Sequence, residues 1–387
     1  MIKEIREKID EIYPHVAEIR RKIHEHPELK LQECETSRIV ASELQKAGWQ
    51  VFPRFADTTA VIALLEGNQA GPTRAFRADM DALPIKEETG LPYSSKVDGV
   101  MHACGHDFHT AILVGLAYIL SGFRKRLSGN VVLVFQPGEE GGFGGKILTE
   151  AGLIEKFGIE YIIGQHLFPN IPLGKIGYKK GVMTANSDSF RIIVEGEGGH
   201  GARPEETIDP VAVSSHITLG LYTLLSREVP PMNPTVITVG SIRAGNAGNV
   251  IPSEAIMEGT VRTLSEENRK RVLNRLKSIA EGIASTFRAK AHVDIELGYP
   301  SVINDPEITD KVIQAGRIFL GEENVIEIEH PSMGGEDFAY YLKKTKGSFY
   351  RIGVGPNYPL HSPKFAPDEK ALKIGMGINA TIALLLP

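Results

Sequence analysis

Cysteine is scarce in this chain: two in 387 residues, Cys34 and Cys104. Two thiols so far apart make a poor disulfide framework, which argues against a stapled secreted scaffold and for a cytoplasmic protein with reduced thiols. A basic excess is missing too. Lys and Arg number 43 against 48 Asp and Glu, a formal charge of -5, so no nucleic-acid partner is expected, and the run Arg124-Lys125-Arg126 reads as solvated surface. Nowhere do about 18 apolar residues run together, the length a membrane span requires, so no membrane partner is expected. The opening stretch MIKEIREKIDEIYPHVAEIRRKIHEH has no apolar signal core and reads as a charged amphipathic helix. There is no internal repeat and no low-complexity tract. What remains is an ordinary globular composition, 42% hydrophobic and 24% charged, in a chain longer than one core usually supports.

Apolar spacing predicts helices over 2–26 and 34–48. Strand-like runs follow at VIALLEG (61–67), TRAFRADM (73–80), NVVLVFQP (130–137) and YIIGQH (161–166), with an apolar helix, TAILVGLAYIL (110–120), among them. Strands separated by helices imply an α/β sheet covered on its faces. A second pattern begins near residue 184: strand 189–196, helix 209–225 with Asp209 as N-cap and Pro210 in its first turn, strands 235–245 and 253–264, helix 266–289 and strand 291–299. The order β-α-β-β-α-β is that of a ferredoxin-like unit. Patterns of the first kind then resume. The expected organisation is a catalytic domain in two parts, 1–183 and 300–387, around an inserted domain, 184–299.

The densest chemistry is MHACGHDFHTA (101–111), with three histidines, a cysteine and an aspartate in eight residues. FRADMDALPI (76–85) ends a strand in Asp79 and Asp81. VFQPGEEGG (134–142) sets Glu139 and Glu140 past another strand end, YIIGQHLFP (161–169) sets His166 past a third, and YPLHSP (358–363) offers His361 in a loop. Taken singly, each reads as a polar loop, a solvated acid pair or a hydrogen-bonded histidine. Ligands of open α/β sheets gather at strand carboxyl ends. If these ends converge, buried carboxylates need a cation. A literal G-x-G-x-x-G, Gly196 to Gly201, is followed by Pro204 and Pro210 rather than a helix, so a dinucleotide site is rejected. HEHPE (24–28) reads as packing or capping at a helix end, and Cys34 as a small buried residue.

RRKIHEHPEL (20–29), RADMDALPI (77–85), GVMHACGHDFHTA (99–111), FQPGEEGG (135–142), GGHGARP (198–204), NVIP (249–252), GTVRT (259–263), GEDFAYY (335–341) and LHSP (360–363) resemble the M20 metallopeptidase clan, and within it the amidohydrolase branch of aminoacylases, hippurate hydrolases, auxin-conjugate hydrolases and some carboxypeptidases. The resemblance covers nearly the whole chain in the family's order. It implies an α/β metal-dependent hydrolase domain with a central mixed sheet flanked by helices, plus an inserted α+β ferredoxin-like dimerisation (lid) domain. It implies two divalent metal ions per subunit, Zn²⁺ foremost with Mn²⁺ or Co²⁺ as alternatives, held by Cys104, His106, Glu140, His166 and His361. Glu139 would be the general base, Asp81 would orient the centre, and His200 would reach the active site of a partner subunit as an oxyanion donor. Asn249 and Arg262 would hold a substrate carboxylate.

The residue types suit those roles. Thiolate with imidazole fits Zn²⁺, while carboxylates admit Mn²⁺ or Co²⁺. A carboxylate that moves protons cannot also be a tight ligand, which gives the Glu139-Glu140 pair a reason. Arg grips a carboxylate with two parallel hydrogen bonds, which Lys cannot. His102, His109, Asp107 and Glu336 are candidates to brace the ligands. The chain departs from the wider clan's His-x-Asp at Asp79-Met80-Asp81, from QPAEE at Gly138, and from a histidine after HGAxP at Glu205. The expected activity is hydrolysis of the amide bond of N-acyl-L-amino acids by metal-activated water. The alternatives are a carboxypeptidase or dipeptidase acting on short peptides with the same site, and a non-catalytic metal scaffold. The expected partners are the small substrate and a second copy of the chain in a homodimer.

Overall fold

A computed structural model describes residues 1–386 of the chain. They form two compact units. Met1–Met183, Val302–His330 and the chain from Asp337 onward make the first; Thr184–Ser301 and Pro331–Glu336 make the second.

The first unit is built on an eight-stranded sheet in the order Gln50–Pro53, Val61–Glu66, Ser128–Gln136, Gln69–Asp79, Tyr161–Pro172, Lys346–Gly355, Ile176–Tyr178, Val325–Glu327. The four strands from Ser128–Gln136 to Lys346–Gly355 run parallel to one another. Such strands are covered on both faces and read as near-continuous apolar runs. Accordingly Val131, Leu133 and Phe135 enter one hydrophobic cluster while Val132 and Val134 enter another. Helices Ile2–Glu25, His106–Phe123 and Lys370–Leu385 pack on one another in the first cluster. Ile2–Glu25 buries Ile5, Ile9, Ile12, Val16, Ile19 and Ile23, a spacing of four and three that makes one apolar stripe.

Three expectations change. The helix placed at 110–120 begins at His106, because its polar first turn is buried as deeply as the apolar turns that follow. The strand placed at 161–166 continues to Pro172, paired with Lys346–Gly355 through residues that alternate in burial. Cys34 is exposed and its neighbour Glu33 is buried, because Glu33 has backbone donors waiting inside and the thiol has none. HEHPE behaves as expected: His26 caps the first helix, its N–H donating to Ile23, and His24 packs inside.

The second unit is a four-stranded antiparallel sheet, Thr235–Ala244, Glu254–Thr263, Asn186–Glu195, Lys290–Glu296, with helices Pro210–Arg227 and Glu266–Thr286. This strand order is that of the split βαβ motif. It has its own core, in which Phe190, Ile192 and Val194 alternate inward from one strand. Asp209 caps its helix by accepting from Val211 at 2.9 Å. After Gly196 the chain forms the short strand Gly199–His200 and the turn Pro204–Glu206, with no helix opening there. Among the described residues no helix is long and apolar enough to cross a membrane.

Candidate metal centre

Because the four central strands of the first unit are parallel, their carboxyl ends share one edge. Gln69–Asp79 runs into Asp79 and Asp81, Ser128–Gln136 into Glu139 and Glu140, and Lys346–Gly355 into the loop of His361, while His166 lies within Tyr161–Pro172. The helix His106–Phe123 starts at the same edge, where Thr110 Oγ1 donates to the Asp79 carbonyl at 2.9 Å. Between Cys104 and His106 stands Gly105 with φ of +87°. A Cβ there would also come within 2.9 Å of Leu167 Cδ1, so only glycine lets both flanking side chains turn inward. The His361 loop is pinned by its own N–H, which donates to the Ala103 carbonyl at 2.9 Å.

These connections gather all five residues expected as ligands. The donor atoms of Cys104, His106 and His166 lie within 4.8 Å of one another, as do those of Cys104, Glu140 and His361, and those of His106, Glu139 and Glu140. Cys104 Sγ stands 3.3 Å from His166 Nε2, and Glu140 Oε1 stands 3.2 Å from His361 Nε2. Cys104 and His106 are buried, His166 and Glu140 are half-buried, and His361 is 51% exposed and marks the side open to solvent. Asp81 organises it from behind. Its carboxylate accepts from the N–H groups of Glu139 at 3.0 Å and Glu140 at 2.8 Å, and its carbonyl accepts from His106 Nδ1 at 2.9 Å.

Burial pushes the Cys104 thiol well above its ordinary value, and the Glu140, Glu139 and Asp79 carboxylates push it further. Burial and the neighbouring His109 push His166 well below its own, leaving a neutral ring. Burial would lower His106, but Asp79 and Asp81 raise it to about 10. Burial resists ionisation of Glu140, yet His361 and His106 lower its carboxyl. The carboxylates are therefore offset by a proton on His106. Its Nε2 is buried with no hydrogen-bond partner among the described residues and lies 3.7 Å from Asp79. A histidine whose Nδ1 is held by a carbonyl and whose Nε2 points into a pocket of thiol and carboxylate is presented as a metal ligand. The donor set fits a divalent transition metal.

Sequence reasoning missed Glu33. It is fully buried, and its carboxylate accepts from Leu31 N at 2.8 Å, Gly138 N at 2.9 Å and Thr59 Oγ1 at 2.5 Å. It thereby anchors the turn that carries Glu139. Burial outweighs those hydrogen bonds and raises its carboxyl to about 7. Its one sequence signal is an acid directly before a helix, which usually means a cap. Asp107, next to His106, is held by Arg20 Nε at 2.7 Å and by His24 Nδ1 at 2.8 Å. Burial lowers the adjacent, fully enclosed His102 to about 4, so it is a neutral ring.

His200, Asn249 and Arg262 belong to the second unit. The first two are neighbours: Val250 pairs with His200 in a two-residue ladder, and Gly201 N donates to the Asn249 carbonyl at 2.9 Å. Ala202 N donates to His200 Nδ1 at 3.1 Å, so the exposed ring carries its proton on Nε2. Arg262 lies on the strand Glu254–Thr263, half-buried. Glu336 lies in the Pro331–Glu336 segment of the same unit.

Residues 75–384 match peptidase family M20/M25/M40. The chain is 41% identical over 392 residues to thermostable carboxypeptidase 1 of Saccharolobus solfataricus, covering 99% of this chain and 98% of that one. It is 40% identical over 368 residues to the N-acetylcysteine deacetylase of Bacillus subtilis, covering 95% and 96%. The crystal structure of a Bacillus subtilis protein described as a dinuclear metal binding peptidase of the M20 family superposes with a TM-score of 0.85 at 37% identity, covering 97% of this chain and 99% of that one. The chain belongs to peptidase family M20/M25/M40 and is a hydrolase of that group.

Two outcomes follow from the charges. Uptake of Zn²⁺ at pH 7 should displace a proton from Cys104 and one from His106, about two in all, and binding should weaken as pH falls. Calorimetry in buffers of different ionisation enthalpy measures this. For Glu33, the folded chain holds the proton more tightly than the unfolded one, so the associated stability is full below pH 4.5 and is lost as pH rises through about 7. The loss is about 3 kcal/mol. Glu33→Gln removes it, so the metal-free variant should gain that much relative to the native chain between pH 4.5 and 8 in paired denaturant titrations.

Proposed function

We propose that the protein hydrolyses the amide bond of N-acyl-L-amino acids, releasing the free amino acid and a carboxylate. The observation that carries this reading is the pairing of Glu139 with Glu140 at a centre where Cys104, His106, His166 and His361 already supply ligand atoms. A metal scaffold needs ligands alone; a second, adjacent carboxylate is what a hydrolase needs to move a proton. The similarity to an N-acetylcysteine deacetylase supports the acyl amino acid as substrate class.

Two divalent ions per subunit, Zn²⁺ or alternatively Mn²⁺ or Co²⁺, are held in this reading by Cys104, His106, Glu140, His166 and His361. When bound, such ions polarise the carbonyl and lower the pKa of water to about 7. Glu139 takes the proton of the attacking water and delivers it to the departing amine. Asp81, gripping the N–H groups of both glutamates, keeps one carboxylate on the ligands and the other on the proton path. Asn249 and Arg262 select the free α-carboxylate, with Arg262 as a two-pronged donor. His200 of one subunit serves the centre of its partner, donating from Nε2 to the developing oxyanion. Its exposure and its Nε2 proton support that role. A homodimer is part of the proposal, supported by the edge strand Thr235–Ala244, which leaves Val236 and Ile242 exposed.

The similarity to a carboxypeptidase favours a second reading, removal of a C-terminal residue from short peptides by the same groups. A matrix of metals against substrates separates the two. Metal-free protein restored with Zn²⁺, Mn²⁺ or Co²⁺ should cleave N-acetyl amino acids faster than dipeptides; the reverse order selects the carboxypeptidase, and no turnover on either series rejects both. Glu139→Gln should keep its metal and lose about 10²–10⁴-fold in kcat.

A further inference from the structure

Behind the centre lies a second group of polar side chains, fully enclosed, that the proposed chemistry does not use. Arg77, on the strand Gln69–Asp79, donates from Nη1 to Asp79 Oδ2 at 2.6 Å, from Nη2 to Asp337 Oδ1 at 2.8 Å and from Nε to Gln136 Oε1 at 2.9 Å. Asp79 Oδ1 accepts from His109 Nδ1 at 2.6 Å. His109 Nε2 in turn accepts from the Leu167 N–H at 3.0 Å. Asp337 accepts from Gln136 Nε2 and from the Gly145 N–H, each at 2.8 Å.

Asp79, His106 and His109 present ligand atoms within 4.8 Å of one another and so look like a further metal-holding group. Their hydrogen bonds say otherwise. Each Asp79 oxygen has a charged or N–H donor at 2.6 Å. His109 spends one nitrogen as donor and the other as acceptor, leaving no lone pair for an ion. What His109 does hold is position. Its ring flanks two expected ligands, 4.7 Å from the His166 ring and 5.5 Å from the His106 ring, centroid to centroid, those two rings being 5.9 Å apart. It is on the same helix turn as His106, and the amide it receives is that of the residue after His166.

We infer that Arg77, Asp79 and His109 are positioning residues for the metal centre: a relay that fixes the spacing between the His106 helix and the His166 strand, with Arg77 tying the same unit to the strand that leads into Glu139. The inference rests on the reading of His106 and His166 as ligands. Groups that brace ligands from outside are worth about 10- to 100-fold in metal affinity.

His109 can be cut one bond at a time. In His109→Asn the amide N–H replaces the bond to Asp79 and the bond from Leu167 is lost. In His109→Gln the amide oxygen replaces the acceptor for Leu167 and the bond to Asp79 is lost. Asp79→Asn removes one of the two buried charge partners of Arg77 and endangers the fold, so the His109 pair carries the test. Each variant, as full chain, is titrated with Zn²⁺ against a competing chelator, its Co²⁺ absorption spectrum is recorded, and its metal-free unfolding temperature is measured. Both should bind the native number of ions about 10- to 100-fold more weakly, with an altered Co²⁺ spectrum and a metal-free unfolding temperature close to native. Native affinity and spectrum in both variants, or a fall in unfolding temperature alone, overturn the inference. Loss of one whole ion also overturns it, because His109 would then be a ligand. A native chain that takes up no Zn²⁺ sinks the reading of the centre along with the inference, whereas a native chain that binds beside unaffected variants sinks the inference alone.

Discussion

Everything at the centre depends on the register of four parallel strands. Parallel pairing brings their carboxyl ends to one edge, and the apolar residues on both faces keep that edge dry. Asp79, Asp81, His106 and His109 are held there away from water, and a carboxylate in such a place requires a cation, a proton or hydrogen-bond donors. The register is guarded by glycine as well as by hydrogen bonds. At Gly164, two positions before His166, a Cβ would meet Phe349 at 2.6 Å and Phe338 at 2.8 Å. A slip of one residue would turn His166 away from Cys104.

Within that frame the carboxylates divide their work by what each is bonded to. Asp81 spends its oxygens on two backbone amides and so sets the direction in which Glu139 and Glu140 leave the turn. Asp79, two residues earlier, spends its oxygens on Arg77 and His109 and faces the interior of the sheet. Burial opposes its ionisation, yet His106, Arg77 and His109 hold its carboxyl well below the ordinary value. Similar residues, close in sequence, thus have unlike tasks because their neighbours differ.

The groups that touch the expected ions were legible because chemistry concentrates them. A cysteine among histidines, an acid pair after an apolar run, and a histidine after YIIGQ stand out against a background of strands and helices. The supporting groups were not. Asp337 lies 260 positions from Arg77, and nothing near either announces the other. Polarity puts the Cys34 thiol inside; backbone N–H groups converging on position 33 bury its acidic neighbour instead. The helix at His106 was placed four residues late because amphipathic spacing registers apolar stripes, and a polar turn buried against ligands has none. Ligand types are a property of the residue; bracing is a property of the pair, and pairs exist only once the chain has folded.

The Ala103–His361 hydrogen bond joins the loop ahead of the first expected ligand to the loop of the last. Ribosomal synthesis delivers these two loops at very different times. A nascent chain that has already exposed Cys104, His106, Glu140 and His166 still has its cavity open on one wall, and that wall closes only after some two hundred further residues have emerged, by the spacing of His166 and His361 in the chain. With the ligand set proposed above, ion capture falls late in synthesis, after His361 has emerged.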